Sequence, residues 1–543
     1  MYRYMLKKKP YFLLFLVLLV TSSVTGTLFS LVMSTLVDCA GKSTEELFLT
    51  LLGSIAYVVI YNLLALAFGC LKARLLTDAR YGLKRDLFSA LMHRTVADFD
   101  AGSSAEYMNE LSNNINLFEN VYWDNYLRLL EGLMSFCSAA AVCIAIQPVM
   151  LFLMTALALL SMGVTRLTTA PLEKSMAGFT KSAEAYTAEI KDDFGGFRLA
   201  HSFGILPLIL KKHDTKNRAM ENANRKRTNC RMFCAYAGNF VGLLSTVLVM
   251  AMASYFALKG RFSAGMVIAF GHLIGNIISP IASAPSIIAD FRASKPLLQR
   301  FRLLLEQKEE AGTKMPEDFK KEIVLRDVSF GYEAERQVIR RLSFRFQAGR
   351  HYAVTGKSGC GKSTLLSLLL GYYPGYNGSI CYDGTEVREL KREALGRIAA
   401  FVSQDTFLFH DTIQNNITLY DETYTLPEIQ AAVSRAGLKE LIASLPEGLS
   451  TMVDENGRNF SGGEKQRLSL ARALLRKSRV LLLDEFTANL DRDTAREIEQ
   501  RILEMTDCLT IAVTHHPEPD ILRQYDGVVD LNIGPEPKQS KNF

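Results

Sequence analysis

Residues 356–364 read Gly356-Lys357-Ser358-Gly359-Cys360-Gly361-Lys362-Ser363-Thr364. The stretch fits the G-x-x-x-x-G-K-S pattern of a phosphate-cradling loop. Its flanks supply the context the pattern needs, with apolar Tyr352-Ala353-Val354 before it and the leucine-rich run 365–370 after it. The expectation is a strand, a turn and a helix. Gly356, Gly359 and Gly361 lack a Cβ, so the backbone can wrap a phosphate chain, and a helix starting near Lys362 aims unpaired N–H groups at the same anion. Lys362 is expected to reach the β- and γ-phosphates and Ser363 to bind Mg²⁺.

Working outward, the 543 residues are 49% hydrophobic and 22% charged, and the apolar ones are concentrated unevenly. Long uncharged runs fill the first half, and the second half has ordinary globular composition, which reads as a membrane domain followed by a water-soluble one. The net charge of +6 is modest. Its early basic residues sit beside apolar runs, as topology signals do, and not on one face as a nucleic-acid footprint would. The nine cysteines form no C-x-x-C pair, and no histidine is spaced to complete a zinc site, so they read as reduced thiols.

Six apolar segments stand at about 11–37, 47–71, 126–146, 149–167, 233–258 and 266–288. The first follows Arg3, Lys7, Lys8 and Lys9 and is too long for a signal peptide. Two long polar excursions, about 72–119 and 168–231, hold most of the remaining Lys and Arg of this half. Short loops on the other side hold little beyond Lys42, Lys259 and Arg261. The positive-inside rule then places the N-terminus, both excursions and the C-terminal half in the cytoplasm, with the cell membrane as the expected location. Leu83, Leu87 and Leu91, and then Tyr107, Leu111 and Ile115, predict amphipathic helices extending beyond the bilayer, with a turn at 98–104 and Ser104 as a cap. A charged linker, 306–320, separates a membrane domain, 1–305, from an α/β domain with a largely parallel sheet, 321–543. Strands are expected at 323–325 and 328–330.

The apolar run 480–483 ends in Asp484 and Glu485, placed to hold Mg²⁺ and to act as general base toward water. Ahead of it, Phe460-Ser461-Gly462-Gly463-Glu464-Lys465-Gln466-Arg467 opens a second anion-receptive helix. This run resembles the signature motif of ATP-binding cassette transporters, and other motifs of that family fall at matching places. Tyr332 resembles the aromatic that stacks on adenine, and Gln404 the glutamine that touches Mg²⁺ and the attacking water. Glu455-Asn456-Gly457 resembles the short loop before the signature, Asp491 the dimer-contact aspartate, and His515 the γ-phosphate switch histidine. His516 is read as its solvated neighbour. Phe460 stands where leucine is usual, and Glu464 where glutamine is usual.

The resemblance covers essentially the whole chain and is to exporter-type half-transporters, with an all-α six-helix membrane domain before an α/β cassette. It implies that residues 356–364 bind ATP with Mg²⁺ and that Ser461, Gly462, Gly463 and Glu464 close over the ATP of a second half-transporter. That partner is either another copy or a different chain. It further implies that the tips near 99–107 and 193–203 are coupling helices; Phe99, Phe194 and Phe197 would otherwise be needlessly exposed. Glu131, Asn239, His272 and Asn276 lie in or near apolar segments and are candidates to line a substrate pathway, helix-to-helix hydrogen bonding being the alternative. The expected function is ATP-driven export of an amphipathic small molecule, lipid or peptide, with membrane lipid as a further expected partner. An uptake pump on the same architecture and a membrane-anchored regulatory ATPase are the rivals.

Overall fold

A chain crossing a bilayer finds no water for its backbone there, so each apolar run must close its own hydrogen bonds as a helix. The computed structural model describes residues 2–39, 43–100, 102–306, 312–316, 318–333, 336–514 and 519–532. Among the described residues, six helices are long and apolar enough to cross a membrane: α1 (Lys9–Asp38), α2 (Thr44–Met92), α3 (Glu106–Ile146), α4 (Pro148–Gly195), α5 (Leu206–Leu258) and α6 (Ala264–Glu306). The chain divides into two compact units, one comprising Met1–Met92 with Ser104–Gln307 and the other His93–Ser103 with Lys308–Phe543.

In the first unit the helices outrun the bilayer. With 49 residues, α2 is roughly 70 Å long, more than twice a hydrocarbon core. The expected amphipathic extension is present in it: Leu83, Leu87 and Leu91 are all buried. The helix after the turn opens at Ser104 itself (Ser104–Asn109), so Ser104 is its first residue and not the cap before it. Proline prevents neither α4, which starts at Pro148, nor α6, which contains Pro280, Pro285 and Pro296.

A polar seam runs along α3, where two π-helical turns, Glu110–Asn114 and Glu119–Asp124, interrupt the α-helical register. Lys72 of α2 meets Asp124 at 3.0 Å and Glu131 at 2.9 Å, and Arg80 meets Glu119 at 3.0 Å. Asn125 donates to Asp290 of α6 at 2.8 Å, and Arg300 pairs with Glu106 and buried Glu110. Charges this close to a membrane persist because they are paired. At the opposite end, Asp38 of α1 accepts from the Gly265 N–H of α6 at 2.8 Å and from the Ser263 hydroxyl. A Cβ at Gly265 would stand 2.2 Å from the Ser34 carbonyl oxygen, so only glycine admits this approach.

The described residues of the second unit form two sheets. Strands β1 (Glu322–Phe330), β2 (Ile339–Gln347), β4 (Asn377–Tyr382) and β5 (Thr385–Glu386) form an antiparallel sheet in the order β2-β1-β4-β5. The two strands expected at 323–325 and 328–330 are one strand. Asp327 at φ 51° shifts the register between them without breaking it. The parallel sheet has the order β6-β7-β8-β3-β9, with β3 His351–Thr355, β6 Ala399–Val402, β7 Val480–Asp484, β8 Leu509–Val513 and β9 Gly527–Asp530. Both faces of this sheet are covered, so β7 and β8 are buried at every residue and read as unbroken apolar runs.

Replacing Gly265 with valine is expected to lower the thermal stability of the detergent-solubilised protein, by roughly 1–3 kcal/mol as for other overpacked contacts. An unchanged melting temperature would show that α1 and α6 do not approach this closely.

Candidate functional site

The phosphate loop leaves the end of β3, an interior strand between β8 and β9 of the parallel sheet, and enters helix α7 (Lys362–Leu369). Gly356 at φ 150° and Gly361 at φ 103° take conformations that side chains rarely adopt. A Cβ at Gly356 would lie 2.6 Å from Cys360 Sγ, and one at Gly361 would lie 2.9 Å from Val338 Cγ1. The Leu365 N–H donates to the Gly361 carbonyl at 2.8 Å, so α7 is hydrogen-bonded from its first turn and its free N–H groups face the loop. Lys362 is buried, and its Nζ donates to the carbonyls of Gly356 at 2.9 Å and Lys357 at 3.3 Å, across the mouth of the loop.

The strand order brings the acidic residues alongside. Asp484 ends β7, and Glu485 turns out of it at φ 47°, with its N–H on the Val513 carbonyl of β8 at 3.2 Å. Gln404, just past β6, donates from Nε2 to Glu485 Oε2 at 2.6 Å. A cleft of about 700 Å³ is lined by Tyr332, Arg336, Arg340, Lys362, Gln404 and Glu485, together with loop residues Ser358, Gly359, Gly361, Ser363 and Thr364. Its volume suits a nucleotide. The oxygen donors at hand, the Ser363 hydroxyl, the Gln404 amide and the Asp484 carboxylate, are the hard ligands Mg²⁺ takes.

The second glycine-rich run lies elsewhere on the unit. Ser461 caps α8 (Gly462–Leu475), accepting from the Glu464 N–H at 3.3 Å, while Glu464 Oε2 accepts from the Ser461 N–H at 2.7 Å. A glutamate serves this reciprocal cap as well as a glutamine. A Cβ at Gly463 would be 2.8 Å from the Asn489 carbonyl, and Phe460 is buried in the core in leucine's place. Asp491 caps α9 (Arg492–Leu503) by accepting from Thr494 N–H at 3.0 Å, and that bond holds its carboxyl below the usual range. None of Ser461, Gly462, Gly463, Glu464 and Asp491 lines the cleft. His515 and His516 lie outside the described residues.

Two family models match this arrangement. One, described as ABC transporter transmembrane region, matches residues 12–281, and one described as ABC transporter matches residues 339–488. The chain belongs to the ABC transporter family. It is similar to the uncharacterized ABC transporter ATP-binding protein YfiC of Bacillus subtilis, at 26% identity over 98% of this chain and 89% of that one. The ATP-dependent lipid A-core flippase of Vibrio cholerae is 28% identical over 83% of this chain and 78% of its own. The mitochondrial iron-sulfur clusters transporter atm1 of Aspergillus fumigatus is 34% identical over 54% of this chain and 41% of its own. A solved bacterial Atm1-family ABC exporter with ATP bound shares the fold, with TM-score 0.81 and 21% identity over 96% of this chain and 93% of that one. This ABC transporter is therefore a multi-pass membrane protein that binds ATP and couples its hydrolysis to transport.

Two residues of the transporter's site escaped sequence reasoning. Gln466 is buried in α8, donates to the Glu485 carbonyl at 3.2 Å and accepts from the Asn489 N–H at 3.2 Å, so it ties this helix to the acidic end of β7. Asn532 Oδ1, past the end of β9, accepts from the Lys357 N–H at 2.9 Å and anchors the phosphate loop. Gln466 stood in plain view inside the signature run, whereas Asn532 carries no motif. In the membrane unit the four pathway candidates do not converge on one contact. Glu131 is paired with Lys72, exposed His272 stands edge-on to Phe29 at 5.7 Å, Asn276 is half-buried and Asn239 is exposed.

Gln466→Ala leaves the Glu485 carbonyl and the Asn489 N–H without their partner, a loss of about 1–3 kcal/mol. The expected result is a fall in Mg-ATPase turnover of roughly tenfold or more, with ATP affinity within about threefold of wild type, read by fluorescent-nucleotide titration. Equal turnover would show that Gln466 does not place Glu485.

Proposed function

We propose that this chain is one half of a dimeric ATP-driven exporter, with its N-terminus and cassette in the cytoplasm and its helices in the cell membrane. Residues 1–305 form the membrane domain, 306–320 the linker and 321–543 the cassette. The observation that carries the dimer is the composition of the cleft. It contains the phosphate loop, Tyr332, Gln404 and Glu485, but no residue of the capped signature helix start. A second chain brings Ser461, Gly462, Gly463 and Glu464 to that ATP, and Asp491 to the contact between cassettes. Every motif in the described residues is intact, which favours pairing with another copy.

Within the half-site, Tyr332 stacks on the base, and the backbone of residues 356–361 with Thr364 wraps the phosphates. Lys357, Ser358 and Cys360 shape the loop, and Lys362 neutralises the β- and γ-phosphates. Ser363, Gln404 and Asp484 hold Mg²⁺, which when bound neutralises charge on the phosphates. Glu485 takes the proton from the attacking water; Gln404 orients its carboxylate, Gln466 holds its backbone, and His515 senses the γ-phosphate. Splitting ATP removes the charge that the partner's helix start grips, and the dimer opens.

The tip around residues 193–203 supports coupling to a cassette. Phe194 is 76% exposed, Phe203 73% and Phe197 57%, an apolar cluster on a cytoplasmic turn. The relatives carry differently named cargoes, lipid A-core in one and iron-sulfur clusters in another. The cargo of this chain is accordingly assigned only as amphipathic, with Glu131, Asn239, His272 and Asn276 on its path.

Glu485→Gln is expected to cut Mg-ATPase by roughly 100-fold or more, as loss of a general base does, and to trap an ATP-bound dimer visible by size exclusion. Rapid hydrolysis in that variant removes the base assignment. In inside-out vesicles the wild type should accumulate its cargo on ATP addition. Accumulation only in right-side-out vesicles would make it an uptake pump, and ATPase without accumulation of any compound a regulatory ATPase.

A further inference from the structure

The exposed tyrosine at the mouth of the cleft lies two residues past the end of β1 and is held by its neighbours. The ring of Tyr332 stands nearly perpendicular to that of Phe330, at 5.2 Å and 79°, and to that of Tyr373, at 5.3 Å and 87°. Phe330 and Tyr373 are themselves in contact at 5.5 Å, so the three rings brace one another. At its other end the Tyr332 hydroxyl lies 3.1 Å from Thr364 Oγ1, in the first turn of α7. The side chain is thus fixed at both ends while remaining 58% exposed.

Tyr373 in turn is tied to the segment His93–Ser103, which lies in the same compact unit. Its hydroxyl donates to Asp100 Oδ2 at 3.1 Å. Burial, and then the bond to Asp100, push this phenol up to about 12, so it stays a protonated donor throughout the physiological range. The segment presents Asp100 on a defined scaffold. Thr95 caps the short helix Val96–Asp100 by accepting from the Asp98 N–H at 3.0 Å, and Arg392 Nη1 donates to the Arg94 carbonyl at 2.7 Å.

We propose that Tyr373 is a positioning residue for the nucleotide base, its ring fixing Tyr332 and its hydroxyl linking that ring to the cytoplasmic turn through Asp100. The proposal rests on the reading of Tyr332 as the base-stacking residue. Its consequence is a direct energetic link. Any force that displaces the turn changes how Tyr332 is held, and by reciprocity the bound base biases where the turn rests. The link acts on the base and not on the phosphates, because Tyr373 is absent from the phosphate loop and from the residues lining the cleft.

That distinction supplies the test. The full-length detergent-solubilised protein is titrated with ATP and, separately, with inorganic tripolyphosphate. Tyr373→Ala should weaken ATP by roughly 3- to 10-fold, the range of an aromatic pair, and leave tripolyphosphate within about twofold. Tyr373→Phe, which keeps the ring and the fold, and Asp100→Ala should each weaken ATP by about two- to threefold, and the double variant by no more than either. Unchanged ATP affinity in Tyr373→Ala, an equal loss for ATP and tripolyphosphate, or multiplying effects of Tyr373→Phe and Asp100→Ala would each overturn the proposal. Lys362→Ala should abolish binding of both ligands, which tests the phosphate site separately. Tyr332→Ala should reproduce the ATP-selective loss, and if it does not, the stacking assignment has failed and the proposal falls with it.

Discussion

A triphosphate can be held tightly only where many N–H groups point at one small volume, and this requirement governs the cassette. The backbone of residues 356–361 must turn back on itself between a buried strand and a helix start, at φ values that only glycine tolerates cheaply. The parallel sheet makes that turn rigid. With β8 and β9 on either side of β3, the loop emerges from an interior strand of the sheet, and β7 delivers Asp484 and Glu485 on the far side of β8. A parallel sheet ends all its strands at one edge, so a phosphate loop, two carboxylates and Gln404 arrive together without any long reach.

The second glycine-rich run answers to the same physics with a different outcome. Ser461 and Glu464 satisfy each other's backbone, and Gly463 lets the helix start lie against Asn489 and Leu490. Gln466 then carries the constraint through to Glu485, so the capped helix start and the acidic end of β7 share one hydrogen-bond link. Glutamate in place of the usual glutamine is explained by the cap alone, since both side chains accept from the Ser461 N–H.

The membrane unit meets its own constraint by pairing. Its α3 carries Glu106, Glu110, Glu119, Asp124 and Glu131, and each finds a cation on α2 or α6. Two π-helical turns occur within this stretch, where an extra residue per turn changes which side chains face which neighbour. Glu131, a candidate pathway residue, therefore also holds α2 to α3 through Lys72.

The sequence by itself determined what is local or contiguous: six apolar runs, amphipathic extensions at Leu83, Leu87 and Leu91, the phosphate loop, the acidic strand end and the signature. In each of these, neighbours along the chain satisfy the same backbone groups, so periodicity and glycine spacing suffice. Tertiary structure alone decided the long-range partners. Asn532 meets Lys357 across 175 positions and Tyr373 meets Asp100 across 273, and Lys72 finds Glu131 on another helix. A polar side chain read along a sequence has water and many groups as possible partners, and only chain closure selects one. The antiparallel sheet was hidden for the same reason. Asp327 interrupts the alternation within β1, and pairing register belongs to two strands at once.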